Sequence, residues 1–314
     1  MDIALQVFLL VGGLAVALVA SDRAVAYTRA LAAGLGAPSF VVGVVLVSIG
    51  TDLPEMANSI AAHLQGEGDV NVGDSVGSAL TQYTFVLGLF PLVVAAIAVH
   101  RLQVSLVSAL TIGGLGLTAW FVADGWLGRL EGAVLVVAWG LCTFVVVRML
   151  GNHPPDDPLV VRYRNRLVQA GVVLVALAFV GFGATVAVRA LVRLAEGAGV
   201  PEFLLAFFGA SLGTSAPEIV VDVTALMRGA PGIALGDALG SSMVDSTLSI
   251  GIGPLVAPAP VTPRLAVTGC VYAAVSVAVV GALLASRRRH DRRSSIVLFA
   301  LYFLAYAVLI RAAA

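Results

Sequence analysis

Two stretches of the chain carry the same polar residues in the same order, and each ends in proline followed by glutamate. Ser48–Glu55 reads Ser-Ile-Gly-Thr-Asp-Leu-Pro-Glu, and Ser211–Glu218 reads Ser-Leu-Gly-Thr-Ser-Ala-Pro-Glu. Both lie in long apolar runs, where carboxylates are costly and commonly functional. Because proline removes a backbone donor and glycine lets the chain unwind, each stretch predicts a helix break that frees carbonyl groups. Hydroxyl, carbonyl and carboxylate oxygens are ligands for a hard cation such as Ca²⁺ or Na⁺.

A second repeated pattern, Gly-Asp-x-x-Gly-Ser, follows each stretch, at 73–78 and at 236–241. From these motifs, polar residues continue at i, i+4 and i+8 spacing: Asp74, Ser78 and Gln82 in the first copy, and Asp237, Ser241 and Asp245 in the second. Residues at this spacing share one helix face. We therefore predict one central cation site from both copies, formed by Glu55, Glu218, Ser78, Ser241, Gln82 and Asp245.

The two copies are related by a constant offset of 163 residues. Without gaps, 48–91 and 211–254 are identical at 14 of 44 positions. Such internal self-similarity predicts that the chain contains a structural repeat.

Composition places these motifs in a membrane. Of the 314 residues, 60% are hydrophobic and 11% charged, and the mean hydropathy is +1.02. This excludes a soluble enzyme, a disordered chain and a disulfide scaffold, and strong hydropathy within each segment favours helices over a β-barrel. The net charge is zero, so no nucleic-acid partner is expected; the expected partners are inorganic cations and the lipid bilayer, with no bound cofactor.

We predict ten spans near 3–21, 38–64, 70–98, 102–122, 127–150, 167–195, 201–227, 232–258, 263–286 and 294–312. The hydrophilic, proline-containing segment 151–166 is interpreted as a cytoplasmic linker between a first five-helix repeat, 1–150, and a second, 167–314. Because each half has an odd number of spans, the repeats are expected to be inverted, with broken helices at the midplane. The first run lacks a basic segment before it and is interpreted as a retained helix.

Arginine placement predicts the orientation. All 18 basic residues are arginine, and ten spans place 13 on the side opposite the termini and 5 on the side of the termini. The positive-inside rule then makes the arginine-rich side cytoplasmic. We expect a plasma (inner) membrane protein with both termini outside, functional as a monomer.

Together, these residues resemble the α-repeats of the cation/Ca²⁺ exchanger superfamily, with prokaryotic Na⁺/Ca²⁺ exchangers the most similar pattern. The resemblance rests on Gly-Thr-Asp/Ser-x-Pro-Glu followed by Gly-Asp-x-x-Gly-Ser, present twice. It implies alternating access and exchange of Ca²⁺ for Na⁺; relatives use H⁺ or also move K⁺. It also implies central acids at Glu55, Glu218 and Asp245, with hydroxyl or carbonyl ligands at Thr51, Ser78, Thr214, Ser215 and Ser241.

Two positions depart from the pattern of the family. Asp52 stands where the first repeat usually has serine, and Gln82 stands where it usually has asparagine. Gln82 keeps an amide oxygen, whereas Asp52 adds a fourth carboxylate near the site. Clustered carboxylates raise one another's pKa, so a Ca²⁺/H⁺ exchanger stays open as an alternative.

Other interpretations also stay open at this point. Asp74 and Asp237 are candidates for helix N-caps, and Asp222, whose counterpart is Ser59, is a candidate accessory acid. Among other functions, a cation channel is disfavoured by a saturable site at broken helices. An intramembrane aspartyl protease is disfavoured because Asp74 and Asp237 lack the Gly-x-Gly-Asp context.

Overall fold

A computed structural model of the chain describes residues 3–151, 165–197 and 214–313. Helix dominates these ranges, as the apolar segments predict. The α-helices are, in chain order, α1 Ile3–Leu35, α2 Ser39–Val42, α3 Ser48–Thr51, α4 Leu53–Leu64, α5 Gly68–Thr81, α6 Leu87–Val94, α7 Arg101–Phe121, α8 Arg129–Leu150, α9 Arg166–Gly197, α10 Ala216–Met227, α11 Pro231–Val244, α12 Ile250–Val256, α13 Pro263–Arg287 and α14 Arg292–Ala313.

Shorter elements interrupt or connect these helices. In the described part of the chain, π-helical turns span Gly43–Val47, Gln82–Val86 and Asp245–Ser249, and a 3₁₀ turn spans Val122–Asp124. The short strands are β1 Ala96–Ala98, β2 Trp126–Leu127, β3 Ala259–Pro260 and β4 Arg289–Asp291. β1 pairs antiparallel with β4, with Ile97 opposite His290, and β2 pairs antiparallel with β3. These ladders join helix ends, a detail that hydropathy does not predict.

Within the described ranges, seven helices are long and apolar enough to cross a membrane, or eight if the interrupted pair Ser39–Thr51 and Leu53–Leu64 is one span. The predicted seventh segment, 201–227, lies partly outside the described residues. The predicted second segment, 38–64, is this interrupted pair. The predicted eighth, 232–258, is a continuous helical run, Pro231–Val256, which contains two aspartates and is not among the seven. A multi-pass helical membrane protein is therefore established, and the count of ten inverted spans stays a prediction.

The chain packs as two units that each draw on both halves of the sequence. The first unit comprises 1–53 and 154–237, and the second comprises 54–153 and 238–314. This division follows packing, whereas the predicted division into 1–150, a 151–166 linker and 167–314 follows the repeat. The repeat boundaries stay a prediction, and most of the linker lies outside the described residues.

In the first unit, α1 and α9 lie against each other at a glycine contact. A Cβ built at Gly13 would lie 2.6 Å from the carbonyl oxygen of Gly183, and one built at Gly183 would lie 2.6 Å from that of Gly13. Lipid does not drive apolar helices together, so close backbone approach at small residues is a main source of packing energy in membranes. A second contact of this kind brings Gly43 within reach of the Ile233 carbonyl, at 2.7 Å from a built Cβ.

Helix α1 is longer than the predicted segment 3–21. It continues past Arg23 and Arg29 to Leu35. Ala24, Val25 and Thr28 are buried on one side of this extension, so packing maintains the helix where hydropathy falls. The Arg29 guanidinium donates to the Arg228 carbonyl at 3.1 Å.

In the second unit, α13 packs against α5 and α7, α8 against α12, and α14 against α6. Asn71 Nδ2 donates to the Ile250 carbonyl at 3.1 Å, and a Cβ built at Gly132 would lie 2.6 Å from the Gly251 carbonyl oxygen. His290 Nε2 lies 2.6 Å from the Leu87 carbonyl oxygen and links β4 to α6. Polar side chains thus bond to main-chain carbonyls inside an apolar unit, as buried polar groups require.

The glycine contact predicts a position-specific loss of stability. We expect Gly183→Val to lower the free energy of unfolding by about 1–3 kcal/mol, the typical cost of forcing extra methyl groups into a packed interior. The matched control is Gly12→Val, since a Cβ at Gly12 meets nothing within 4 Å. Thermal unfolding of the purified protein in detergent compares the two. Equal midpoints for both variants would contradict the contact.

Candidate functional site

Both predicted helix breaks in the first unit have the same backbone geometry. Asp52 ends α3 with φ −80° and ψ 3°, and Ser215 precedes α10 with φ −82° and ψ 7°. These angles lie in the sparsely populated bridge region between helix and strand. A proline follows two residues after each break, Pro54 and Pro217, and its ring starts the next helix. The repeated motif therefore produces the same local conformation twice.

Each break places a glutamate in the first turn of the following helix. Glu55 is the third residue of α4, and Glu218 is the third residue of α10. Both side chains are at most 1% exposed. Free N–H groups and the helix dipole make this end of a helix favourable for a negative charge. The sequence thus positions one glutamate per repeat at an electropositive helix end.

In the first unit, the carboxylates of Asp52 and Glu218 are brought together. Both side chains are fully buried, and each offers a carboxylate oxygen within 4.8 Å of the other's. Two oxygens bound to one Ca²⁺ at about 2.3–2.6 Å each are at most about 5 Å apart. The pair is therefore spaced so that a single Ca²⁺ can bridge it, and without a cation or a proton the two charges repel.

Helices α5 and α11 are interrupted at equivalent positions. A π-helical turn begins at Gln82 and another begins at Asp245. Such bulges inside helices are frequent at functional sites. The preceding serines of the predicted trios, Ser78 and Ser241, are also buried. The equivalence extends the repeat from sequence to local structure.

All ten predicted ligands belong to the described residues. Nine are buried, and Thr214 is half-buried. Within the described ranges, Gln82 Oε1 and Ser215 Oγ are buried without a hydrogen-bond partner. A buried acceptor without a donor costs free energy, so each of these two oxygens is by itself a candidate cation ligand.

An acidic pair that sequence reasoning did not predict lies beside the Asp52 break. The carboxyls of Asp222 and Asp237 are neighbours in the first unit, and both are fully buried. The Thr51 hydroxyl lies 3.2 Å from Asp237 Oδ1. The only sequence signal was that Asp222 follows Glu218 by one helical turn, which indicated at most an accessory acid.

Asp74, which is equivalent to Asp237 in the first repeat, has a different partner. Asn58 Nδ2 donates to Asp74 Oδ2 at 2.6 Å. The interpretation of Asp74 and Asp237 as N-caps is wrong, because α5 begins at Gly68 and α11 at Pro231, six residues earlier in each case. Both aspartates instead face side chains of neighbouring helices.

Comparison with known proteins places the chain among ion-exchange proteins. The sequence model of a family described as "Sodium/calcium exchanger protein" matches residues 5–148 and again 168–311. The chain is 30% identical over 263 residues to "Putative antiporter CaxA" of Alkalimonas amylolytica, covering 80% of this chain and 81% of that protein. It is 28% identical over 295 residues to "Inner membrane protein YrbG" of Escherichia coli, covering 89% and 88%.

The fold matches a solved exchanger. A structure of the sodium-calcium exchanger NCX_Mj superposes with a TM-score of 0.81 at 23% identity, covering 97% of this chain and 99% of that one. This similarity supports the fold along nearly the whole chain.

The acidic pair predicts opposite effects of two substitutions, one in each repeat. Asp222→Asn replaces a neighbouring carboxyl of Asp237 with an amide donor like that of Asn58, and we expect it to raise the free energy of unfolding in cation-free buffer by about 1.5–3 kcal/mol, the value of a hydrogen bond to a charged group. Asn58→Asp creates a carboxyl pair in the other repeat and should destabilise, by less, because Asn58 is half-buried. Chemical or thermal unfolding in detergent with chelator measures both. A destabilised Asp222→Asn would contradict the unfavourable pairing.

Proposed function

Because the chain belongs to the sodium/calcium exchanger protein family, whose sequence model covers both of its halves, we propose that it is a secondary antiporter exchanging Ca²⁺ for Na⁺ across the membrane by alternating access. The observation that carries this proposal is the buried carboxylate pair, Asp52 and Glu218, spaced for one bridging Ca²⁺. Family membership makes the chain a transporter and not an intramembrane protease.

The proposed cation ligands are the oxygen-bearing side chains at the two breaks and on the faces of α5 and α11. Glu55, Glu218 and Asp245 supply the central carboxylates. The further oxygens come from Asp52, Thr51, Ser78, Gln82, Thr214, Ser215 and Ser241. Several hard oxygen donors with a few carboxylates are typical of Ca²⁺ coordination, which takes six to eight ligands. Ca²⁺ and its counter-ion are substrates, and the proposal requires no bound cofactor.

The transport cycle follows from the proposed inverted arrangement of five-helix repeats. In such proteins, one element moves against another around a fixed site near the midplane. The 13-to-5 arginine distribution supports a cytoplasmic linker and outside termini in the plasma membrane. Each protomer contains both repeats, so a monomer is the proposed functional unit.

The Asp52 carboxyl makes H⁺ the main alternative to Na⁺ as the counter-ion. A serine there would leave the Thr-Ser hydroxyl pair that the second repeat has at Thr214 and Ser215. Aspartate instead adds a carboxyl that can take up a proton, and this keeps Ca²⁺/H⁺ exchange as the second candidate. A K⁺-dependent exchanger is a variant of the same mechanism.

Neutralising either central glutamate is expected to abolish exchange. Glu55→Gln and Glu218→Gln should each reduce gradient-driven ⁴⁵Ca²⁺ uptake into proteoliposomes at least about a hundredfold, because removing one partner of a buried charged set costs about 3–5 kcal/mol. Glu67→Gln is the control, since Glu67 is exposed just before α5. Normal uptake by Glu218→Gln would refute the proposed site.

The counter-ion is identified by comparing gradients in the same vesicles. We expect an outward Na⁺ gradient to drive ⁴⁵Ca²⁺ uptake and an outward H⁺ gradient not to, with Asp52→Ser retaining the Na⁺-driven uptake. Uptake driven only by H⁺, and lost in Asp52→Ser, would establish the Ca²⁺/H⁺ alternative. Ca²⁺ flux that needs no counter-ion would indicate a channel, and a requirement for K⁺ with Na⁺ would indicate the K⁺-dependent variant.

A further inference from the structure

An apolar groove lies on the surface of the first unit, and no carboxylate is among the described residues that line it. It has a volume of about 890 Å³ and lies between α1 and α9, lined by Val16, Val19, Val175 and Phe179 among others. These four side chains are 39–66% exposed. On a multi-pass membrane protein, an open groove with such a lining faces lipid, and its size matches pockets that hold small ligands.

One positively charged side chain, that of Arg23, is among the described residues that line the groove. Arg23 lines it and also lines an adjoining, more polar cavity of about 390 Å³ that includes Asp22, Thr224 and Arg228. Asp22 forms an ion pair with Arg228, and their charges cancel. The Arg23 guanidinium therefore gives the cavity one net positive charge. Within the described ranges, no hydrogen bond or ion pair engages the Arg23 guanidinium. An apolar slot that continues into a cationic pocket matches the two parts of an anionic lipid.

We propose that the groove between α1 and α9 binds an anionic phospholipid, with an acyl chain against the valines and the phosphate on Arg23. The planar guanidinium forms two parallel hydrogen bonds to phosphate oxygens. The Thr224 hydroxyl, at 2.5 Å from that of Ser21, borders the same polar cavity. The inference needs only the membrane location and does not rest on ion exchange.

A second groove provides an internal contrast. It lies in the second unit and has a volume of about 400 Å³. Val72, Val76 and Leu265 line it, and its charged lining residue in the described part of the chain is Asp69. The Asp69 carboxylate accepts two hydrogen bonds from Thr262, both 2.6 Å long. No arginine is among the described residues that line this groove, and the Asp69 carboxylate repels an anionic headgroup. Apolar shape alone therefore does not give the charge preference that the first groove has.

The test measures lipid retention by the full-length protein. Protein purified in detergent is incubated with equimolar dioleoyl phosphatidylglycerol and dioleoyl phosphatidylcholine, and bound lipid is counted by native mass spectrometry. We expect the wild type to retain the anionic lipid over the zwitterionic one by about fivefold, the contribution of one basic residue at an anionic surface. Arg23→Gln should remove this preference, whereas Arg101→Gln, which changes an exposed arginine outside the groove, should keep it.

A second pair of variants tests the groove without changing charge. A Cβ at Gly171, which lines the groove, meets nothing within 4 Å, and the same is true of Gly12, which does not line it. We expect Gly171→Leu to reduce retention of both lipids and Gly12→Leu to leave it unchanged. Equal retention of the two lipids by the wild type, or a preference that survives Arg23→Gln, would overturn the proposal. Retention unaffected by Gly171→Leu would overturn the placement of the acyl chain.

Discussion

The cost of burying negative charge in an apolar medium is the constraint on which the rest of this structure depends. An isolated carboxylate inside the membrane is destabilising, yet Asp52, Glu55 and Glu218 are at most 1% exposed. The chain reduces this cost by starting a helix directly before each glutamate. Helix starts need breaks, and the Gly-Thr-x-x-Pro-Glu motif supplies them in the same few residues. Ligand and supporting backbone are therefore encoded together, which explains why the motif recurs as one block.

Backbone proximity is the second requirement, because broken helices lose internal hydrogen bonds and need support from neighbours. The first unit provides it through glycine, at Gly13 against Gly183 and at Gly43 against Ile233. Gly43 begins the π-helical turn that precedes the Asp52 break, so a contact that carries no charge holds the segment leading into the break against its neighbour. Small residues in this chain thus serve the site from outside it.

The sequence allowed the local chemistry to be predicted better than the contacts between distant residues. Proline, glycine and the repeat offset were sufficient to predict breaks at Asp52 and Ser215, because helix interruption depends on neighbouring residues. The course of α1 beyond residue 21 was not predictable from hydropathy, since buried Ala24 and Val25 maintain it through tertiary packing. The π-helical turns at Gln82 and Asp245 and the short ladders at helix ends have no comparable local signal. The neighbouring carboxyls of Asp222 and Asp237 depend on the approach of two helices that are separate in sequence.

At two positions, one repeat has an aspartate where the other has a serine. Asp52 replaces the serine found at Ser215, and Asp222 replaces the serine found at Ser59, so both additional acids belong to the first unit. That unit buries Asp52, Glu218, Asp222 and Asp237. One Ca²⁺ brings two positive charges, which balance at most two of these four carboxyls. The remainder must be balanced by protons, by monovalent cations or by donors such as the Thr51 hydroxyl. In the proposed inverted arrangement, two identical repeats would present the same ligands to either side of the membrane, and the acids at Asp52 and Asp222 remove this equivalence.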